Sequence, residues 1–112
     1  MKLVTAIVRA DKLDDATRAL VNAGARGITA TEVRGFGRQY GHVPEASPAE
    51  RATLLLPKFR IDVVVQDQQA TAVADAIAKS VKTGAIGDRK IWMCAVDGAL
   101  RVRTGEPDED AI

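Results

Sequence analysis

The sequence is poor in the residues from which many catalytic and metal sites are built. Its 112 residues include one cysteine, Cys94, and one histidine, His42. A single cysteine excludes an internal disulfide and a cysteine-rich zinc site, and a single histidine excludes a histidine cluster. Aromatic residues make up only 4% of the chain. This scarcity argues against RNA binding on a sheet surface, because that mode needs exposed aromatic side chains for base stacking.

An excess of one charge and long apolar runs are also missing. Lys and Arg total 16 and Asp and Glu total 15, for a net charge of +1. This balance argues against a protein that coats nucleic acid or an anionic membrane. No stretch approaches ~18 consecutive apolar residues, and no basic segment followed by an apolar one opens the chain. We therefore expect a cytoplasmic protein with no membrane insertion.

Several segments have the apolar, β-branched character of strands. They are residues 2–8, 27–36, 59–65 and 91–96. A shorter extended piece is expected over 100–103, where alternation would point Arg101 and Arg103 to one side. Residues 104–112 form an acidic tail.

Two segments have the spacing of amphipathic helices. Apolar residues recur at helical intervals over 13–21 and over 70–81. Asp11 and Asp67 precede these segments, and we expect them to act as caps. Two βαβ halves around one sheet predict an α+β, ferredoxin-like sandwich with both helices on one face. We expect a single domain over 1–112 whose uncovered sheet face is covered by other subunits.

A long loop separates the two halves. Residues 37–57 contain three prolines and no sustained period. Loops of this length in a compact domain are usually functional or disordered, and we expect a flexible one. His42 lies in this loop, and solvation explains it better than catalysis. We expect Cys94, in the middle of a predicted strand, to be an inert core residue and Trp92 to be a core or interface aromatic.

A glycine-containing loop and two arginines could bind an anion. Gly84 and Gly87 allow backbone N–H groups to converge, and Arg89 and Lys90 add positive charge. Taken by itself, the loop is explained better by an ordinary turn between a helix and a strand. Arg101 and Arg103 would repel these cations unless an anion such as a triphosphate neutralised them. The alternative is pairing with the nearby acidic residues, which are Glu106, Asp108, Glu109 and Asp110.

Several segments resemble, in order, the PII nitrogen-regulatory signal proteins. They are residues 31–39, 56–58, 83–88 and 101–106, and the opening residues 1–15 fit as well. The resemblance covers essentially the whole chain. It implies a cytoplasmic homotrimer of ferredoxin-like subunits that binds ATP or ADP competitively in clefts between subunits. It also implies a regulator of nitrogen metabolism rather than an enzyme, and no nucleophile with a neighbouring base is evident in the sequence.

The resemblance also implies the ligand-binding residues. The positions expected at the nucleotide are Thr29, Gly37, Arg38, Gly87, Asp88, Arg89, Lys90, Arg101 and Arg103. Gln39 matches the position that helps to hold Mg²⁺, and with Gly41 and Lys58 it matches the 2-oxoglutarate site. The loop over 37–57 would be the target-binding loop, which docks on a transporter, a metabolic enzyme or a regulator.

Some positions depart from the family pattern. Arg51 stands where family members often carry the tyrosine that is uridylylated, and Ala85 and Arg89 replace a lysine and a glycine. Residues 43–55 do not follow the common loop sequence. These departures favour an alternative in which a divergent member regulates a transporter other than an ammonium channel, or a carbon-assimilation system. Such a member would sense an adenine nucleotide, AMP included, together with another small anion.

Overall fold

A four-stranded sheet and two α-helices form the fold over residues 1–36, 47–48, 55–84 and 90–112, the part of the chain that the computed structural model describes. The strands are β1 (Lys2–Arg9), β2 (Thr29–Gly35), β3 (Leu56–Val65) and β4 (Ile91–Ala95). The helices are α1 (Leu13–Asn22) and α2 (Ala70–Val81). Short 3₁₀ helices cover Ala10–Lys12, Asp67–Gln69 and Asp108–Ala111.

The strand order is β2-β3-β1-β4, and each neighbouring pair is antiparallel. In each half of the chain a helix lies between two strands that are not neighbours in the sheet, so the chain passes over the strand between them. This is the topology of a ferredoxin-like fold, and the predicted α+β architecture is confirmed.

The core lies between one face of the sheet and the two helices. Alternate residues of β1 and β3 are buried together with apolar residues of α1 and α2. They are Val4, Ala6, Val8, Ala16, Leu20, Ile61, Val63, Val65, Ala70, Val73 and Ile77. The alternation within β3 confirms the predicted strand with one apolar face. It also confirms that both helices cover the same side of the sheet.

The opposite side of the sheet, which we call the open face, is covered by neither α1 nor α2. Strand register and alternation place on it Leu3, Thr5, Ile7 and Arg9 of β1, Lys58, Arg60, Asp62 and Val64 of β3, Thr29, Thr31 and Val33 of β2, and Trp92 and Cys94 of β4. Trp92 is 40% exposed. Cys94 is also exposed, so the predicted core role is wrong. The reason is that β4 is an edge strand whose alternate residues point away from both helices.

Neither predicted aspartate caps a helix. Asp11 and Asp67 each lie in the 3₁₀ helix that precedes the α-helix, ahead of the cap positions, which are Lys12 and Gln69. The Asp11 carboxylate accepts hydrogen bonds from Arg9 Nε at 3.1 Å and Nη2 at 3.0 Å. The Asp67 carboxylate lies 3.0 Å from the Met1 amino group, whose hydrogen bond and charge lower the pKa of Asp67. Ion pairing therefore replaces capping at both positions.

Two predicted boundaries also change. β3 begins at Leu56, which is buried, so the last two residues assigned to the loop over 37–57 belong to the sheet. Of the remaining loop, residues 37–46 and 49–54 lie outside the described part. The extended piece over 100–103 is a turn instead, with an isolated bridge between Leu100 and Pro107. No helix in the described residues is long and apolar enough to cross a membrane.

Candidate functional site

A groove of about 530 Å³ lies where the start of β2 meets the end of β3 and the C-terminal segment. Thr29 and Arg101, two of the residues expected at a nucleotide, both line it. Asp62 and Val64 of the open face line it as well. The fold therefore brings a hydroxyl, a guanidinium, a carboxylate and an apolar side chain to one concave surface.

Arg101 reaches the groove from a hydrogen-bonded turn formed by residues 99–108, which we call the C-terminal turn. Its two sides are joined by Asp108 N donating to Ala99 O at 2.7 Å and Arg101 N donating to Glu106 O at 2.9 Å. Gly105 N donates to Arg101 O at 2.8 Å, and its φ of +76° is one that glycine adopts at little cost. Local hydrogen bonds thus define the backbone that carries Arg101.

The Glu106 carboxylate ties the side chains of this turn together. Glu106 Oε2 forms an ion pair with Arg101 Nη1 at 2.8 Å and accepts a hydrogen bond from the Thr104 hydroxyl at 2.7 Å. Of the two alternatives left open for Arg101, pairing with a nearby acidic residue is therefore observed. Arg103 lies at the exposed tip of the turn. The prediction that both arginines point to one side of a strand is wrong, because glycine and these hydrogen bonds reverse the chain here.

Two other predicted site residues lie toward the opposite end of the open face. Lys90 directly precedes β4, and its carbonyl accepts from Ile7 N at 3.3 Å. In the strand register, Lys58 of β3 lies opposite Arg9 of β1 and opposite Val33 of β2. Although it is a lysine, it is only 6% exposed.

The predicted residues that the structure describes form two groups within the chain. Strand register places Thr29 level with Thr5 and Lys58 level with Arg9. Arg9 follows Thr5 by four residues along β1, which is about 13 Å at the usual rise of a strand. The chain thus presents the Thr29 and Arg101 group at one end of the open face and the Lys58 and Lys90 group toward the other.

The remaining predicted residues lie outside the described part of the chain. They are Gly37, Arg38, Gln39, Gly41, Gly87, Asp88 and Arg89. Within the described residues, no group of three His, Cys, Asp or Glu side chains could hold a metal ion. The predicted Mg²⁺ ligand, Gln39, is among those not described, and its role stays a prediction.

A polar network on the open face was not foreseen from the sequence. Thr5 is fully buried, and its hydroxyl donates to Asp62 Oδ1 at 2.6 Å. Arg60 Nε donates to Asp62 Oδ2 at 2.8 Å. Burial by itself would raise the pKa of Asp62, but the hydrogen bonds from Arg60 and Thr5, together with the Arg60 charge, hold that pKa below its ordinary value. The carboxylate is thus kept ionised beside the groove.

The sequence carried a partial signal for this network. Arg60 and Asp62 alternate on one strand, so they share a face. Thr5 is the register partner of Asp62 on β1, and Thr29 is its partner on β2. These pairings depend on strand register, which the sequence pattern alone does not give.

Comparisons with known proteins identify the family of the chain. The family described as "Nitrogen regulatory protein P-II" matches residues 1–106 of the chain. The chain is 46% identical over 112 residues to nitrogen regulatory protein GlnK of Escherichia coli (strain K12), with all of both chains covered. Over the same full length it is 46% identical to nitrogen regulatory protein P-II of Synechocystis sp. and 45% identical to that of Rhizobium etli. With its topology and full-length similarity, the chain belongs to the P-II family of nitrogen-regulatory signal proteins.

Proposed function

We propose that this protein is a nucleotide-sensing regulator that binds ATP or ADP in the clefts between the subunits of a cytoplasmic homotrimer. The observation that supports this proposal is the division of the predicted site into two groups about 13 Å apart along the open face. Thr29 and Arg101 from one subunit and Lys58 and Lys90 from the next would line one cleft. A cleft between subunits thereby joins residues that one chain keeps apart.

The side chains of these groups suit a nucleotide. Arginine presents a planar fork of donors to phosphate oxygens, and lysine supplies a compact charge. Arg101 lies in the groove, and Arg103 is exposed at the neighbouring tip. The Thr29 hydroxyl and the apolar Val64 add a polar and a non-polar contact for the base or ribose. This donor set fits a di- or triphosphate and would also accept AMP with fewer phosphate contacts.

The proposed effector site uses Lys58 and the residues of the loop base. Gln39 would hold Mg²⁺ through its amide oxygen, with nucleotide phosphates supplying further ligands. When bound, the metal offers coordination positions to a 2-oxo acid such as 2-oxoglutarate. The Lys58 ammonium suits a carboxylate of the effector, because charge-assisted contacts between lysine and carboxylate are among the stronger hydrogen bonds. The backbone at Gly41 would complete this subsite.

Regulation of nitrogen metabolism would then run through the long loop. A loop that docks on a target protein can be controlled by ligands only if they bind its two states with different affinity. The proposed effector residues Gln39 and Gly41 belong to this loop, and Lys58 follows it directly in β3. Occupancy of the cleft is therefore suited to control how the loop meets its target.

The oligomeric state tests this proposal most directly. Light scattering with size-exclusion chromatography should give about three times the chain mass at micromolar concentration. Trp92→Glu places a charge on the open face and should reduce that mass and weaken ATP binding together. Val21→Glu changes a residue that is 63% exposed on α1 and should alter neither. A monomeric parent protein that binds ATP with full affinity would refute the intersubunit cleft.

A further inference from the structure

Glu106 makes three contacts within its own turn. Its backbone carbonyl accepts a hydrogen bond from Arg101 N, and Oε2 of its carboxylate accepts one from Thr104 Oγ1 and forms an ion pair with Arg101 Nη1. Three of the contacts that close the turn between 101 and 106 thus involve one residue. Neither side chain of the Arg101–Glu106 pair is deeply buried, with relative exposures of 35% and 43%. An ion pair this exposed contributes little to global stability, so its main effect is on local geometry.

The side chain that Glu106 holds is the one that enters the groove. Arg101 lines the groove together with Thr29, and the contact with Glu106 engages its Nη1. A guanidinium is planar and carries donors along more than one edge. It can therefore keep its bond to the carboxylate while another edge donates to a bound anion. Without Glu106, the Arg101 side chain would adopt many rotamers. Fixing one of them when the nucleotide binds would cost affinity.

Arg103 belongs to the same turn whose side chains Glu106 contacts. Arg103 stands at the tip, between the two residues whose side chains meet on Glu106 Oε2, which are Arg101 and Thr104. Loss of the carboxylate would release both of those contacts at once. The backbone at the tip would then sample other conformations, although the hydrogen bonds that Arg101 N and Gly105 N donate would still restrain it.

From these contacts we propose that Glu106 is a positioning residue for the nucleotide: its carboxylate fixes Arg101 in the groove and the turn that carries Arg103. This inference rests on the proposed function, because it assumes that Arg101 binds phosphate. The rival role is competition, in which the carboxylate occupies Arg101 until a phosphate displaces it. The two roles predict opposite signs. A positioning residue strengthens nucleotide binding, and a competitor weakens it.

Isothermal titration of the full-length protein with ATP separates these roles. Glu106→Ala removes the carboxylate contacts, and we expect ATP affinity to fall about tenfold, or about 1.4 kcal/mol. Glu106→Gln keeps an amide oxygen that accepts from Arg101 and Thr104, and we expect it to restore affinity to within about threefold of the parent, or about 0.7 kcal/mol. Glu109→Ala removes the same charge from an exposed position of the same segment and should leave affinity unchanged. Thermal unfolding of each variant verifies that the fold is retained.

A double-mutant cycle shows whether Glu106 acts through Arg101. In an Arg101→Ala background, Glu106→Ala should lower affinity further by less than about threefold, since the side chain to be positioned is gone. Tighter ATP binding by both Glu106→Ala and Glu106→Gln would establish competition and overturn the proposal. Parental affinity in Glu106→Ala, with weakened binding in Arg101→Ala, would overturn the inference and leave the proposed function intact. Parental affinity in Arg101→Ala itself would overturn the phosphate contact and, with it, this inference.

Discussion

The Thr5–Asp62–Arg60 network gives a sharp prediction about stability. Thr5 is fully buried, and its hydroxyl depends on Asp62 Oδ1 at 2.6 Å. Asp62→Ala leaves that hydroxyl without its acceptor, which costs about 1–3 kcal/mol for a buried polar group. It also removes the ion pair with Arg60, worth about 0–1 kcal/mol because the two side chains are 42% and 23% exposed. The free energy of unfolding should therefore fall by about 1–4 kcal/mol.

Three further variants apportion this loss. Thr5→Val removes the donor but leaves Asp62 bonded to Arg60, so it should cost only about 0.5–1.5 kcal/mol. Asp62→Asn keeps an acceptor for Thr5 and should cost less than Asp62→Ala. Asp75→Ala removes an exposed acid from α2 and should stay within about 0.5 kcal/mol of the parent. Urea unfolding at one fixed chain concentration gives these values, since association shifts apparent stability.

The effect of pH provides an independent check on the same network. The folded state holds the pKa of Asp62 below its ordinary value of 3.8. As the solution is acidified, the Asp62 carboxylate is therefore protonated at a higher pH in the unfolded chain than in the folded one. The carboxylate therefore stabilises the fold above that ordinary pKa, and this contribution is lost as pH falls through the lowered one. The difference in the free energy of unfolding between the parent protein and Asp62→Ala should be constant near neutral pH and should shrink below pH of about 4. A constant difference down to pH of about 2, or an Asp62→Ala variant as stable as the parent at pH 7, would refute this account.

The remaining predictions concern the core, the cleft and its control. Leu20→Ala removes a fully buried side chain between α1 and the sheet and should lower the free energy of unfolding by about 2–5 kcal/mol in urea titrations. Lys90→Ala and Arg103→Ala should each weaken ATP binding by about 10- to 150-fold in calorimetry, while the exposed Lys79→Ala on α2 should not. 2-Oxoglutarate should bind only when Mg²⁺ and ATP are both present, so binding in a chelator would contradict the proposed subsite. Because Arg51 has no hydroxyl, intact mass spectrometry of protein from nitrogen-starved and nitrogen-replete cells should show no uridylyl group, and such a group on Tyr40 or a phosphate on Ser47 would refute control by ligands alone.

Much of the fold follows from periodicity. Alternation over 59–65 and helical spacing over 70–81 correspond to β3 and α2 because each element has one buried side, and burial imposes the period. Element ends were less predictable. Asp11 and Asp67 have the residue type of a cap, but each finds a cationic partner nearby. The sequence shows which side chains are able to cap a helix. It does not show whether a competing ion pair will form instead.

The candidate site was predictable from resemblance more than from pattern. Thr29 and Arg101 are far apart in the sequence, and only the fold joins them in one groove. The sequence predicts an extended piece over 100–103, because Arg101 and Arg103 alternate with apolar residues, whereas residues 102–104 form a turn. Gly105, which has positive φ, and the contacts of Glu106 reverse the chain there. Such long-range or turn-specific contacts have no fixed period that a sequence pattern can reveal.

The exposed Cys94 shows a different limit of sequence reasoning. A free cysteine among apolar residues usually indicates a core position. Here the same alternation that buries Val4 turns Leu3 and its register partner Cys94 toward the open face. In the single chain this edge of the face, with Trp92 and Cys94, is exposed, and in the proposed trimer it would be covered. The pattern therefore records burial without saying whether the cover is the same chain or another one.

The charged contacts around the site bear on how tightly the proposed nucleotide would bind. Arg101 is paired with Glu106 at 2.8 Å. In the positioning role proposed for Glu106, Arg101 meets a phosphate with its side chain already ordered, so less affinity is lost in fixing that side chain. Two charge-assisted contacts at about 1.5–3 kcal/mol each would give about 3–6 kcal/mol, whereas dissociation constants between about 1 μM and 1 mM correspond to about 8 and 4 kcal/mol. A few such contacts plus the base therefore reach the range in which occupancy can follow changing nucleotide levels.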